Sequence, residues 1–420
     1  MGETGSRVRP GSLWAFLRDH RPLARLAASV LLHRLAGSML VVAVPFFVID
    51  RYGLGWESGL ALAARLVPNV VFGIVVGHVV DRWEPRVVAW STALVNAVVV
   101  ASVPLTQSLA QLQLLMFAAG VVYTFGLPAR MALRPVVIEE GEETRGNAVI
   151  VTAERLSSIV GPLLVGLLIA TVGVEASFPA QGGITVLSGL LVWGLPNRPA
   201  REGASGGVRD ELRQMFVTGP VVLVRALAGD RMLCAVVLTA FTYGAAVAVG
   251  EVFTAGLAKD HFADHPGSNG WLVAAMGTGG VLGALLSTAL GRFHPGRLYF
   301  VGNVLEGLAW LALPWVDRLP LALLCMVAAG FLESVATVVY FAEVQKRLPP
   351  EMTGRFYATF IPLMDAFEMV GALTAPVLLA STGVGGTATV ICLLIAVPVL
   401  LGAPVLLRRS AANPRTEART

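Results

Sequence analysis

The sequence predicts an all-α membrane protein in which twelve transmembrane helices form two six-helix bundles. The first supporting observation is composition: 55% of the 420 residues are hydrophobic and only 14% are charged, whereas a soluble domain has about 25% charged residues. The second is length, because the apolar runs approach the roughly 20 residues that a helix needs to cross a bilayer. The third is the distribution of basic residues, which fall mainly in alternate loops.

The twelve predicted spans are separated by short loops, apart from one longer polar segment in the middle of the chain. They cover residues 28–49, 55–80, 87–107, 110–132, 147–172, 177–195, 233–257, 269–291, 299–317, 319–341, 356–380 and 384–407. With the N-terminus inside, 25 of the 31 Lys and Arg residues fall in inner segments, three in outer loops and three within spans. Because cytoplasmic loops are rich in Lys and Arg, we expect both termini in the cytoplasm. The excess of Arg over Lys indicates a bacterial genome of high GC content, and hence a bacterial inner membrane.

The central polar segment divides the chain into two halves. Residues 1–27 form a polar cytoplasmic N-terminus, and residues 28–195 contain the first six spans. Residues 196–232 begin as a flexible linker that contains Gly203, Ser205, Gly206 and Gly207. They continue as an amphipathic stretch that we expect to lie on the inner membrane surface. The last six spans occupy residues 233–407, and residues 408–420 form a cytoplasmic tail.

The loops that follow the fourth and tenth spans are similar. Each contains proline and an acidic stretch, with Arg145 next to Gly146 in the first loop and Gly354 next to Arg355 in the second. Parallel repeats of this kind are related by an axis along the membrane normal. The sequence therefore predicts two pseudo-symmetric bundles.

A short charged loop between the second and third spans contains Gly77, Asp81, Arg82 and Arg86. Gly77 would let neighbouring helices approach closely, and Asp81 could interact with the N-terminus of a helix. The spacing Gly-x-x-x-Asp-Arg-x-x-x-Arg resembles the loop between the second and third helices of the major facilitator superfamily, although a Glu-Pro pair replaces one Gly-Arg pair of that motif. A charged loop that merely obeys the positive-inside rule is the alternative interpretation.

This resemblance implies the major facilitator fold, in which the first, fourth, seventh and tenth helices line a central cavity. It thereby selects Arg34, Arg130, Glu251 and Glu333 as candidate cavity residues. It also implies that Asp81 and Arg130 could form a charge relay at a cytoplasmic gate. Alternatively, Arg130 could extend its guanidinium to the membrane interface.

The fifth span contains Arg155, Gly161, Pro162 and Gly166. It resembles the Gly-x-x-x-Gly-Pro-x-x-Gly-Gly signature of the drug:proton antiporters in this superfamily, with Ser and Val in place of two glycines. Proline permits a kink and glycine permits close helix packing. Because both residues are common in membrane helices, packing alone is the alternative. Together with the helix order and the loop elements, this helix resembles the branch that contains the enterobactin exporter and macrolide efflux proteins, which implies outward transport.

Ionisable residues inside membrane spans are costly and are therefore functional candidates. Our first candidates for the coupling proton are Glu251 and Glu333, because a carboxyl group in a low-dielectric cavity can exchange a proton near neutrality. Asp365 and Glu368 are second candidates, and their spacing places them on one helix face. Each could instead belong to a buried ion pair with a nearby Arg. For Glu306 we expect a structural role, because the ninth helix is peripheral in the fold that the resemblance implies.

Several classes of function are disfavoured. No run has the spacing of a nucleotide-binding phosphate loop or a metal site, and the scattered basic residues do not indicate nucleic-acid binding. We therefore expect no cofactor and no enzymatic activity. The resemblance implies a monomeric secondary transporter in the lipid bilayer that couples protons to the efflux of a small-molecule natural product, drug or siderophore. Uptake or lipid transport by the same fold, and a transporter-derived sensor, remain alternatives.

Overall fold

The computed structural model describes residues 13–72, 83–139, 141–196, 219–290, 293–348 and 350–407. In chain order the helices with described bounds are α1 Leu13–Asp19, α2 Arg21–Arg51, α3 Trp56–Ala64, α4 Pro85–Ala101, α5 Leu109–Ala132, α6 Arg134–Val137, α7 Glu143–Val172, α8 Val174–Trp193, α9 Gly219–Gly229, α10 Arg231–Asp260, α11 Ser268–Leu290, α12 Pro295–Ala312, α13 Leu319–Arg347 and α14 Pro350–Leu406. The described ranges contain helices and turns but no strand. The predicted all-α fold class is therefore confirmed.

Most predicted spans correspond to one long helix. Within the described ranges, eight helical segments are long and apolar enough to cross a membrane. The last of them, in α14, contains both the eleventh and twelfth predicted spans, which are joined at Gly383 with a positive φ of 66°. Helices α8 and α12 occupy the sixth and ninth predicted spans. The second predicted span is not one continuous helix, because α3 ends at Ala64 and a two-residue turn follows it.

Helix starts follow local sequence chemistry. Pro85, Pro295 and Pro320 lie in the first turns of α4, α12 and α13, where the missing N–H group has no helical partner to lose. Asp230 caps α10 by accepting hydrogen bonds from the amides of Met232 (2.8 Å) and Leu233 (3.0 Å). These positions fix where the chain turns back into each bundle.

Asp230 also ties the start of α10 to the end of α13. Arg347 donates from Nη1 to Asp230 Oδ2 at 2.6 Å and from Nε to Glu343 at 2.9 Å. Partial burial opposes ionisation of Asp230, but the hydrogen bond from Arg347 and the two amide bonds outweigh it, so the pKa of Asp230 lies below its ordinary value. This linkage joins two helices at the end of the bundle that the sequence predicts to face the cytoplasm.

We expect the Asp230→Asn variant to lose stability relative to the wild type at neutral pH but not in acid. Because the pKa of Asp230 is lowered by folding, its contribution is present above the ordinary aspartate pKa and disappears as the pH falls through the folded-state pKa. Asn preserves the cap, so the difference isolates the Arg347 contact, which is partly exposed and contributes below about 1 kcal/mol. Thermal unfolding of both proteins in detergent between pH 7 and pH 2, which spans the range below the ordinary aspartate pKa, measures the difference. A gap that widens in acid would contradict this assignment.

The two halves are joined at one end and separate at the other. We call the end with Arg51 and Lys259 the outer end, and the opposite end with Phe16 and Arg231 the inner end. A large apolar cluster at the outer end contains buried residues of both halves, including Phe47 of α2 and Phe253 of α10. At the inner end, one apolar cluster belongs to the first half and another to the second.

Polar contacts and helix packing also join the halves at the outer end. Lys259 Nζ lies 2.8 Å from Asp50 Oδ1, and Asn269 Nδ2 donates to the carbonyl of Val42 at 3.3 Å. Helix α7 packs on α11, and α3 packs on α14. The outer end is therefore closed, as expected for one of the two states of an alternating-access fold. The domain boundaries at the central linker and at the termini remain predictions.

Candidate functional site

A cavity of about 740 Å³ lies between the two halves. This volume falls in the range of roughly 300–1,000 Å³ that is typical of small-molecule sites. Helices α2, α5 and α7 of the first half line it, and residues of α10 and α14 line it from the second half. The cavity is charged on both sides, since arginines line the first half and carboxylates line the second. We call it the central cavity.

The structure brings five predicted site residues together in the central cavity. They are Arg34, Arg155, Glu251, Asp365 and Glu368. Their sequence positions on four helices give no direct sign of this proximity. What they share is a charge within an apolar span, which is the property by which they were selected. Their roles in transport remain predictions.

Arg34 is held by side chains of the first half. Its Nη1 donates to the hydroxyl of Tyr123 at 3.0 Å, and its Nη2 lies 3.9 Å from Glu154 Oε1. Glu154 forms a closer contact with Arg134, whose Nη2 donates to the same oxygen at 2.9 Å. The charge of Arg34 is therefore less closely neutralised by Glu154 than that of Arg134 is, and Arg34 lines the central cavity.

Arg65 and Glu251 form an ion pair across the two halves, with Arg65 Nη2 3.4 Å from Glu251 Oε2. Arg65 lies in the turn that interrupts the second predicted span. Pro68 follows three residues later and has no N–H group to donate to the carbonyl of Ala64, so the helix is interrupted there. Arg65 is one of the three basic residues within the predicted spans, but it was not among the candidate site residues. Its proximity to Pro68 was the available signal.

Asp365 and Glu368 lie beside Glu251, and we call these three residues the carboxylate cluster. Glu368 is close enough to interact electrostatically with Glu251, with Asp365 and with Arg65. Asn69 contacts Asp365, and it is oriented by Thr124, whose hydroxyl donates to Asn69 Oδ1 at 2.8 Å. Three carboxyl groups thus share a site where Arg65 provides one nearby positive charge.

Two glutamates of the second half lie outside the central cavity, although the resemblance implied that Glu333 would line it. Glu333 is not among the residues that line the central cavity. It lies where α13 packs on α11, since a Cβ atom on Gly280 would be 4.0 Å from Glu333 Oε2, and Arg155 is its nearby opposite charge. Glu306, for which we expected a peripheral structural role, is completely buried and accepts a hydrogen bond from Tyr243 at 3.0 Å. It lines a second, smaller pocket.

Arg130 is buried, with 1% of its surface exposed. Its guanidinium donates to Ser29 Oγ (3.3 Å), Gly126 O (2.9 Å) and Ser188 Oγ (3.1 Å). The alternative that Arg130 extends to the membrane interface is therefore wrong, because these three acceptors on α2, α5 and α8 hold it inside the bundle. The proposed relay partner Asp81 lies outside the described residues.

We expect Arg130→Lys to lower the yield of folded protein and to lower transport. Lysine keeps the charge, but its single ammonium group cannot reach three acceptors in the planar arrangement that arginine uses. Each lost hydrogen bond to a charged group is worth roughly 1.5–3 kcal/mol. Thermal unfolding in detergent should show a drop of several degrees, against no change for the exposed control Arg18→Lys. Equal unfolding temperatures would show that the three contacts do not stabilise the bundle.

The remaining residues of the loop motif are only partly described. Gly77, Asp81 and Arg82 lie outside the described residues. Arg86, in the first turn of α4, donates to the carbonyl of Leu195 at 3.2 Å, and its guanidinium lies 5.7 Å from the ring centroid of Trp193. Arg86 therefore joins α4 to the end of α8 in the first half.

The glycines of the fifth predicted span lie at helix crossings, as expected from their small size. A Cβ atom on Gly161 would meet α2, 3.0 Å from the carbonyl oxygen of Leu35. A Cβ atom on Gly166 would come within 2.8 Å of the carbonyl oxygen of Gly267, next to α11 in the other half. Pro162 contacts the same crossing through its carbonyl group, which faces Gly270. The predicted bias toward outward transport is a separate matter and remains a prediction.

Comparison with known proteins gives a family and several relatives. The profile of the Major Facilitator Superfamily matches residues 26–260. The chain is 26% identical over 402 residues to the multidrug efflux pump Tap of Mycolicibacterium fortuitum, with 90% of this chain and 93% of Tap covered. It is also 26% identical over 346 residues to the enterobactin exporter EntS of Escherichia coli O1:K1 / APEC, with 80% of this chain and 79% of EntS covered.

Solved structures share the fold at low sequence identity. The nucleoside transporter NupG superposes with a TM-score of 0.74 at 12% identity, covering 93% of this chain and 100% of NupG. The human organic anion transporter MFSD10 superposes with a TM-score of 0.60 at 19% identity, covering 91% of this chain and 99% of MFSD10. At these identities the comparison concerns the fold alone.

Proposed function

This chain belongs to the Major Facilitator Superfamily, and from that premise we propose that it exports a small molecule in exchange for protons by alternating access. The observation that supports proton coupling is the carboxylate cluster beside Arg65. Glu251 belongs to the second half and Arg65 to the first, so their ion pair spans the boundary that alternating access must open and close. A proton on Glu251 would neutralise it and weaken its attraction to Arg65.

The relatives and the size of the central cavity support a proposal for the substrate class. The two curated relatives are named as a multidrug efflux pump and an enterobactin exporter, and a cavity of about 740 Å³ accommodates a drug-sized molecule. We propose that the substrate is a drug or a siderophore-like natural product that moves outward. The protein would act as a transporter rather than an enzyme, as a monomer in the inner membrane with both termini in the cytoplasm.

Transport into inverted membrane vesicles tests this proposal. The vesicles are made from cells that express the full chain, are acidified inside, and receive ethidium or enterobactin outside. We expect time-dependent accumulation that collapses when a protonophore is added. If neither probe accumulates, or if accumulation persists with the protonophore, proton-driven export of these classes is wrong. Accumulation in right-side-out vesicles alone would indicate uptake instead.

A further inference from the structure

A second pocket of about 160 Å³ lies next to the central cavity, lined mostly by the second half and closed on one side by Val41 and Val42 of α2. Apolar side chains such as Val247, Val273 and Met326 form most of its wall. Glu251 lines both this pocket and the central cavity, so the two spaces adjoin at that residue. We call it the Glu306 pocket, after its most deeply buried charged residue.

Glu306 is incompletely satisfied in this pocket. Its Oε1 accepts a hydrogen bond from the hydroxyl of Tyr243 at 3.0 Å, while Oε2 has no hydrogen-bond partner among the described residues. The Trp310 indole approaches the same carboxyl group from the pocket wall. The side chain of Glu306 has no exposed surface. A buried polar atom without a partner is costly, so the free oxygen indicates a ligand group.

The charges around the pocket favour a cation. Glu251 lines the pocket, and Glu333 is close enough to Glu306 to repel it electrostatically. Among the residues that line the pocket in the described part of the chain, none is Lys or Arg. Two aromatic side chains, Tyr243 and Trp310, complete the wall, and aromatic faces attract ammonium groups.

We propose that the Glu306 pocket binds a protonated or quaternary amine with small apolar substituents, as one arm of the exported substrate. An apolar cavity of about 150 Å³ accepts a benzene-sized group, so a pocket of about 160 Å³ holds such an arm and not a whole drug. The rest of the molecule would occupy the central cavity beyond Glu251. This role in transport rests on the proposed export function, whereas binding of the arm does not.

Gly250 makes room for this pocket. A Cβ atom at Gly250 would lie 3.1 Å from Cη2 of Trp310, closer than an ordinary contact. A larger residue there must displace the indole or fill part of the pocket that Gly250 and Trp310 both line. Gly250→Val therefore narrows the pocket without removing the charge of Glu306, and it provides an independent variant to the carboxyl substitution.

Binding of two small isosteres to the purified full chain in nanodiscs tests the proposal. The probes are choline and 3,3-dimethylbutan-1-ol, which have nearly the same shape but differ in charge. Isothermal titration calorimetry should show choline binding at least tenfold more tightly than the alcohol. In Glu306→Gln the choline affinity should fall at least tenfold and approach that of the alcohol. Gly250→Val should weaken both probes, and the control Glu175→Gln at the outer end should change neither.

Two results would overturn the proposal. Equal affinity of the wild type for both probes would mean that Glu306 does not attract a cation. Unchanged choline affinity in Glu306→Gln would show that choline binds elsewhere. If that variant does not fold, unchanged choline affinity in Gly250→Val would show the same. Because no transport is measured, these results are independent of the vesicle assay, and either proposal can fail alone.

Discussion

Proton-driven accumulation of ethidium in inverted vesicles is expected to fall more than tenfold in Glu251→Gln. Glutamine has almost the size of glutamate and can still accept a hydrogen bond from Arg65, which lies 3.4 Å from Glu251 in the wild type. It cannot bind or release a proton. The substitution therefore removes the proposed coupling step while it preserves the packing of α10, and the loss should appear in the initial rate rather than in the amount of folded protein.

Substrate exchange separates loss of coupling from loss of binding. When vesicles loaded with unlabelled ethidium exchange it for labelled ethidium, no net proton movement is needed. Glu251→Gln should keep this exchange at a rate close to that of the wild type. Loss of exchange together with accumulation would instead assign Glu251 to substrate binding, and full accumulation would remove it from the mechanism.

Two other glutamates provide matched comparisons. Glu175→Gln changes an exposed carboxylate at the outer end, where Arg51 lies 3.1 Å away, and it should leave accumulation unchanged. Glu333→Gln should reduce accumulation less than Glu251→Gln, because Glu333 does not line the central cavity. A larger effect at Glu333 would instead assign the coupling proton to Glu333, which was the other first candidate from the sequence.

The pairing with Arg65 makes the same assignment testable by a double-mutant cycle. Arg65→Gln alone leaves the carboxylate cluster without its nearby positive charge, which is more costly than removing both partners of a buried pair. Arg65→Gln combined with Glu251→Gln should therefore unfold at a higher temperature than Arg65→Gln alone. Additive effects of the two substitutions would show that the pair seen across the halves does not couple them.

The sequence predicted the composition of the central cavity better than its geometry. A charge inside an apolar span is visible in the sequence, and this property was sufficient to select Arg34, Glu251 and Asp365. Which face of a helix points to the cavity is not visible in the same way. A membrane helix that is apolar on all sides has no hydrophobic stripe to indicate its orientation, and for this reason Glu333 was placed in the cavity although α13 turns it toward α11.

Backbone breaks and packing between distant helices were equally hidden. The helix is interrupted at Arg65, shortly before Pro68. A proline in a membrane span signals where such a break can occur but does not specify it, and it says nothing about the contact with Glu251. Glu306 was assigned a structural role from the order of the helices alone. Trp310 lies one turn beyond Glu306 on α12, a proximity that the spacing in the sequence already indicates. The contact with Tyr243 depends on how α10 and α12 are arranged, and no sequence pattern indicates it.

Gly270→Ala is expected to lower transport more than tenfold by preventing closure of the outer end. A Cβ atom at Gly270 would lie 2.6 Å from the Cα atom of Gly166. Backbone atoms of α7 and α11 cannot move away as a flexible side chain could, so the two helices must separate. Overpacking of this kind costs about 1–3 kcal/mol, and here the cost applies only to the state in which the halves meet.

A cysteine at Ala119, which lines the central cavity, reports the state of the outer end. In a background without the native cysteines, Gly270→Ala should increase its labelling by a membrane-impermeant maleimide from the outside. Gly270 is the better choice for this test than Gly267, whose positive φ of 83° would add backbone strain to any substitution.

The control is Gly183→Ala in α8, where a Cβ atom would have no neighbour within 4 Å. It makes the same chemical change in a helix of the first half, and it should leave both labelling and transport unchanged. If Gly270→Ala behaves like this control, then the close crossing of α7 and α11 is not needed to close the outer end. If Gly270→Ala instead raises labelling from the outside while transport falls, then the crossing acts on one state of the cycle. A general loss of folding would lower transport, but it would not increase labelling selectively from the outside.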